Sequence, residues 1–411
     1  MSAFLRVAAR VVLPIVLVGL VLALFYANLE YVTRAPARND FFPRWEGGRA
    51  WIRAQESPYD PAVSERSQQR AYGRPANEQR GEDPLHFLYP FPAVAIFGPL
   101  GWLAEDQAHA LWMSLLEIGL FAATWLWIRA AQWRTSVWMT VSILGFSVLW
   151  YPAFATLVSA QFAAMEAVLL AGAVAAIQAR REALGGLLLA ATLMKPQVSL
   201  GIVIYTAIWA LVSRRRQLLG WLLTGLVVVF GGSLLLEPGW PAQMARQAFD
   251  YLELPVFLSP LGRLSAWLGT GQVGTLVLTG LLFVYLVWEW KESVPGEARR
   301  FLWTAGLTQT IALLILPFGT VPNLILLLFP IAVVLEAWYA RQGSAIDAPA
   351  GIMLLVLAGG TWLVSLGQLE GGDPSLVLLV GLPLATIVAL FWVRWWSFRA
   401  REGADLGVRI P

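Results

Sequence analysis

Long apolar runs alternate with short, arginine-bearing turns along the whole 411-residue chain. The clear runs cover residues 11–27, 108–128, 136–153, 155–178, 217–236, 273–290, 301–317, 322–340, 350–366 and 375–393. Each comes close to the ~20 residues that a helix needs to cross a hydrocarbon core of ~30 Å. Residues 88–104 are apolar too, but short and broken by Pro90, Pro92, Gly98, Pro99 and Gly101, so they either cross the membrane or only dip into it. The run 183–213 is too long for one upright helix and is interrupted by Lys195-Pro196. It reads as two half-length segments meeting at Lys195 or as one tilted, kinked span. The pattern predicts an all-α polytopic membrane protein, a single integral membrane domain with about twelve transmembrane helices.

Two polar segments interrupt this scaffold, residues 28–90 and 237–272. The first carries nine Arg and nine Asp or Glu between residues 28 and 89, a balance that predicts a small, folded, ion-paired unit with short interfacial helices. It is too aromatic for disorder, and long loops that are not disordered are mostly functional. Arg6 and Arg10 precede the first run, so the positive-inside rule puts the N-terminus in the cytoplasm and residues 28–90 outside. The later basic turns put the C-terminus in the cytoplasm as well. A cleaved signal peptide is the rival reading, on Ala35-Pro36-Ala37, but that site lies well beyond a run already longer than a signal core.

Composition agrees: 58% of residues are hydrophobic and 13% charged, more apolar side chains than a soluble domain of this size can hide. The net charge of +3 is spread over short turns, so it reports membrane orientation and points to no nucleic-acid partner. With no cysteine and two histidines, His86 and His109, disulfides, thiolate chemistry and a histidine metal centre are not expected, and no cofactor is implied. Gly269, Gly271 and Gly274 match a dinucleotide-binding spacing but lack the strand that it requires.

Four kinds of polar position stand out. Asp40, followed by Phe41 and Phe42 that would seat the backbone at the interface, lies a dozen residues past the first run. A partly desolvated carboxylate there would accept a proton from a sugar hydroxyl; alternatively it caps a helix or pairs with Arg38 or Arg44. Lys195 is one of only two lysines among 29 basic residues and sits inside an apolar run. It lines a cavity that takes an anion such as phosphate, or it snorkels beside a proline kink. Gln161, Glu166 and Glu117 line a cavity or staple helices together. Arg246, Asp250, Glu253, Ser259 and Arg263 populate the amphipathic second segment.

An ordered set of residues resembles glycosyltransferase family 87. It comprises Asp40-Phe41, Trp45, Gly48, Ala50, Pro58-Tyr59-Asp60, Phe87-Leu88-Tyr89-Pro90-Phe91-Pro92, Pro99-Leu100, Ala110-Leu111-Trp112, Ala160-Gln161 and Lys195-Pro196-Gln197, and the resemblance runs over about residues 38–335. It implies the C-type membrane glycosyltransferase fold and transfer of a sugar, mannose first, from a polyprenyl-phosphate donor to a lipid or glycan acceptor on the outer face of the plasma membrane. It implies Asp40 as the base in an inverting reaction, Lys195 and Arg263 toward the donor phosphate, and Trp45, Trp51, Tyr59, Tyr89, Gln161 and Asn323 toward substrate. Cations aimed at the departing phosphate would stabilise the transition state without a metal.

The chain departs from that family at Ala160 and Ala163, where a Gly-Gln-x-Asn element is expected, and at Phe318-Gly319-Thr320-Val321-Pro322-Asn323. Two other classes fit the same pattern: a transporter or flippase for a lipid-linked solute, with Lys195, Glu117 and Glu166 along its path, and a non-catalytic membrane subunit that holds a partner through residues 28–90.

Overall fold

The computed structural model describes residues 3–34, 40–77, 82–252, 258–294, 298–317, 319–367 and 376–398, and these contain helices and turns but no strand. Arg38, Ala35-Pro36-Ala37, Glu253 and Phe318 lie outside the described residues. The chain divides into two compact units: Met1–Ile118 with Leu157–Gln161, and Gly119–Thr156 with Phe162–Pro411.

In the first unit, α1 (Ala3–Arg34) outlasts its apolar run, and its membrane-length part, Pro14–Arg34, is almost bare of protein contact. α2 (Phe41–Ala54) and α3 (Pro61–Tyr72) follow. The Asp60 side chain accepts from the Ala62 backbone N–H at 2.9 Å, and Pro61 stands in the first turn of α3, where its missing N–H costs nothing. Most of α2 is buried within the unit, Phe41, Phe42, Arg44, Trp45, Glu46 and Ala50 included. Phe41 stacks on His109 at 4.9 Å, so the two phenylalanines pack inside the unit and do not seat the backbone in the interface.

α2 lies against α4 (Val94–Leu100) through glycine. A Cβ on Gly48 would stand 2.6 Å from the carbonyl carbon of Phe97, and one on Gly101 would stand 2.6 Å from Cα of Arg49. Together with its leading 3-10 turn, α4 makes a ten-residue helix, Phe91–Leu100. That is ~15 Å at 1.5 Å per residue, too short to cross ~30 Å of hydrocarbon, so 88–104 does not span as a helix.

The predicted ion pairing is present. Glu46 receives Arg66 at 2.7 Å and Arg49 at 3.2 Å, Arg66 also meets Glu56 at 2.6 Å, Arg74 meets Glu82 at 2.6 Å, and Arg70 pairs with Glu105. The bond to Glu56, with Glu46 behind it, pushes the Arg66 guanidinium above its already high range. α5 (Glu105–Ala130) opens here. Asn28 donates to Ser114 Oγ at 3.0 Å and to Glu117 Oε2 at 3.1 Å, so Glu117 staples α1 to α5.

The second unit contains the rest of α5 and most of the helices. The run 136–153 breaks into α6 (Val137–Leu149) and α7 (Tyr151–Val158), bent by 50°, with Trp150 extended between them. The break seats Pro152 in a first helical turn, where no backbone donor is missed. The run 155–178 also breaks, at Ala160 with φ +49°, before α8 (Ala163–Gln178). α9 (Glu182–Ala191) with its trailing 3-10 turn, and α10 (Pro196–Val212), meet at Lys195. Pro196 drives the residue before it out of the helical region, and Lys195 has φ −129°, ψ 68°. The interruption therefore gives two short helices: α9 packs on α8 and α11 (Arg216–Leu226), α10 on α16 (Ala298–Ile315).

A π-helical turn, Val227–Gly231, joins α11 to α12 (Gly232–Leu236). α13 (Trp240–Leu252) and α14 (Pro260–Trp267) form the second polar segment. Gly269 and Gly271, both with positive φ, turn α14 into α15 (Gly271–Ser293), which accounts for the glycine spacing there. A 3-10 helix, Val321–Leu327, leads into α17 (Leu328–Gln342), followed by α18 (Asp347–Leu366) and α19 (Leu382–Phe398).

Among the described residues, six helical stretches are long and apolar enough to cross a membrane, seven with the bent α6–α7 pair, and one of the six is the 46-residue Val321–Leu366. The expected dozen is corrected to this number, because several apolar runs fold as helices of 10–17 residues.

Candidate functional site

Each unit gathers its own set of predicted residues. In the first, Asp40 stands at the start of α2 with helical backbone angles, φ −64°, ψ −10°. A capping residue needs extended angles to turn its side chain onto the next N–H groups, and Asp40 makes no cap bond. Its Oδ2 lies 3.8 Å from the Arg44 guanidinium one turn on, and its side chain keeps 37% exposure. Of the two bland roles open to Asp40, capping is absent and pairing with Arg44 is present, at long range.

Arg44 is the hub that sequence reading missed. Its side chain is 7% exposed; it donates to the Ala160 carbonyl at 3.4 Å and to Gln161 Oε1 at 3.3 Å, and lies 4.8 Å above the Tyr89 ring. Gln161 and Tyr89 are thus brought to the arginine that faces Asp40. The i to i+4 spacing of Asp40 and Arg44 was the available signal, and it was read only as an alternative to chemistry. The Trp112 indole also donates to the Ala160 carbonyl, at 3.0 Å. Ala160 holds the left-handed conformation that suits glycine, at a cost of about 1–2 kcal/mol.

Three predicted sugar platforms divide. Trp45 is 3% exposed with its indole on the Leu100 carbonyl at 3.2 Å, and Tyr59 is 5% exposed with its hydroxyl on the Tyr89 carbonyl at 2.5 Å. Neither leaves a ring face for a sugar, so both are reassigned to the packing of the unit. Trp51, edge-on to Phe91 at 4.8 Å, keeps partial exposure.

In the second unit, the Lys195 ammonium donates to Asn323 Oδ1 at 2.6 Å, joining two predicted residues 128 positions apart. Both are 3% exposed, so Lys195 does not snorkel. The break before α10 points this lysine inward, and the Val321–Leu327 turn, packed against α8, brings Asn323 to it. Glu166 on α8 is fully buried, has the Lys195 charge and the Ser199 hydroxyl as polar neighbours, and accepts no hydrogen bond on either oxygen. Arg263 on α14 donates to the Gly319 carbonyl at 3.5 Å, four residues before Asn323. Among the described residues, no three His, Cys, Asp or Glu side chains cluster as a metal site.

Compared with known family models, curated proteins and solved structures, the chain matches none.

Proposed function

We propose that this membrane protein is a glycosyltransferase that moves a sugar from a polyprenyl-phosphate donor to a lipid or glycan acceptor. The observation that carries the reading is the Asp40 carboxylate. It opens a helix whose other side chains are mostly buried, is not spent on capping, keeps 37% exposure and is braced by Arg44.

In the proposed reaction Asp40 takes the proton of an acceptor hydroxyl. The acceptor oxygen attacks the anomeric carbon from the face opposite the phosphate, and the carbon–oxygen bond to phosphate breaks, the electron pair leaving with the phosphate. Mannose, an outward-facing Asp40 and cytoplasmic termini belong to this proposal.

Transfer from radiolabelled polyprenyl-phosphate mannose to a membrane-lipid extract by reconstituted protein tests it. Wild-type transfer, lost in a folded Asp40→Asn variant, supports it; transfer that persists in the variant removes Asp40 as the base. A second reading, a transporter for a lipid-linked solute, draws on Glu166, because a buried carboxylate beside a broken helix is a recurrent feature of membrane transport paths. Solute flux across sealed vesicles that depends on Glu166 and not on Asp40 would favour it.

A further inference from the structure

We propose that the second unit holds an anionic phospholipid at the turn between α5 and α6, with the headgroup in a cavity on one side of the turn and an acyl chain in a groove on the other. The cavity, of about 430 Å³, is walled by Trp133, Arg134, Gln178, Arg299, Glu336 and Tyr339. The groove, of about 540 Å³, is walled by Trp125, Ile128, Arg129, Arg134, Val137 and Val141. Gln132, Trp133 and Arg134 belong to both, so one short stretch of chain separates a polar hollow from an apolar one.

Charge selects the headgroup. Arg299 is paired with Glu336 at 2.6 Å, the one acidic side chain in either wall, whereas Arg129 and Arg134 have no acidic partner among the described residues. The cavity wall is left with one unpaired cation, Arg134, and the adjoining groove wall adds a second, Arg129. A phosphate oxygen takes hydrogen bonds from arginine in a geometry that suits it, and a choline or ethanolamine group would bring a third cation to the same place. The Trp133 indole N–H, in the wall common to both hollows, is buried and has no acceptor within the protein. A headgroup oxygen is the kind of acceptor it lacks.

Hydropathy selects a lipid over a soluble anion. Val137 is 79% exposed, Val141 57% and Trp125 47%, an apolar wall that is stable against hydrocarbon and costly against water. Trp138, 79% exposed directly after Val137, places an indole where such rings favour the headgroup layer. Basic pockets between membrane helices are a general solution for binding acidic headgroups.

Native mass spectrometry of the full-length protein, released from micelles doped with phosphatidylglycerol or phosphatidylcholine, tests the site. One phosphatidylglycerol should be retained at least tenfold better than phosphatidylcholine. Arg129→Gln with Arg134→Gln should cut that retention about tenfold, and Val141→Trp, which fills the groove from an exposed position, should cut it comparably. Arg181→Gln with Arg246→Gln, removing two exposed charges elsewhere, should leave it unchanged. Equal retention of the two lipids, or wild-type retention in the Arg129/Arg134 variant, overturns the proposal. So does full displacement by millimolar glycerol phosphate, which would make the cavity a site for soluble anions.

Discussion

Replacing Asp40 by Asn keeps the shape of the side chain and removes its proton affinity. Because the carboxylate makes no cap bond and is partly exposed, the variant should unfold within a degree or two of wild type while transfer falls about 10²–10⁴-fold, the usual worth of a general base. Thermal unfolding in detergent, run beside the transfer assay, separates those two effects. Lys195 and Glu166 call for a cycle of variants instead. Lys195 donates to Asn323 and neighbours Glu166, so Lys195→Met should cost about 1–3 kcal/mol through the buried acceptor left unpaired, and the double variant with Glu166→Gln measures any coupling between the two side chains. Additive losses in the double variant would show that the two charges do not interact.

At the scale of elements, the contact of α2 with α4 depends on the absence of side chains. Gly48→Ala forces a methyl group to 2.6 Å from the Phe97 backbone and should cost about 1–3 kcal/mol. Gly220→Ala, in α11 with nothing within 4 Å, should be neutral or gain up to about 1 kcal/mol from helix propensity. Differential scanning of the two variants checks both signs.

This contrast also shows which elements were legible. Gly48 belongs to the family resemblance, but its role as a close-packing surface needs the neighbour, Phe97, which local sequence does not name. The Lys195-Pro196 break was readable because proline acts on the residue beside it. The break at Ala160 was not, since an alanine with φ +49° carries no local warning. Hydropathy counts apolar residues whether they cross a bilayer or fill the interior of a bundle, and so it overstates the number of spans. Lys195 was marked by its rarity, Asn323 only by the resemblance; their contact arises from how α10 and the Val321–Leu327 turn pack, over a separation no pattern records.

For the whole molecule, the lack of cysteine makes orientation directly measurable. Glu65→Cys on α3 and Ser213→Cys after α10 are both exposed positions. If residues 28–90 face outward, an impermeant maleimide should label the first in intact cells and the second only after lysis. Failure of the first to label in intact cells, when it labels after lysis, would reject an outward-facing Asp40; labelling of the second in intact cells would reject a cytoplasmic end of α10.

The Asn28 bonds to Ser114 and Glu117 bear on the first helix as a machine part. A helix with so few buried side chains has little to fix its rotation about its own axis, so the Asn28 latch, with Val32 buried one turn on, sets its angular phase. One residue inserted on the N-terminal side of Asn28 leaves the latch engaged and turns everything before it by about 100°. The same insertion between Asn28 and Arg34 re-phases the polar end instead, making α1 a dial whose setting can be changed from either side of one pin.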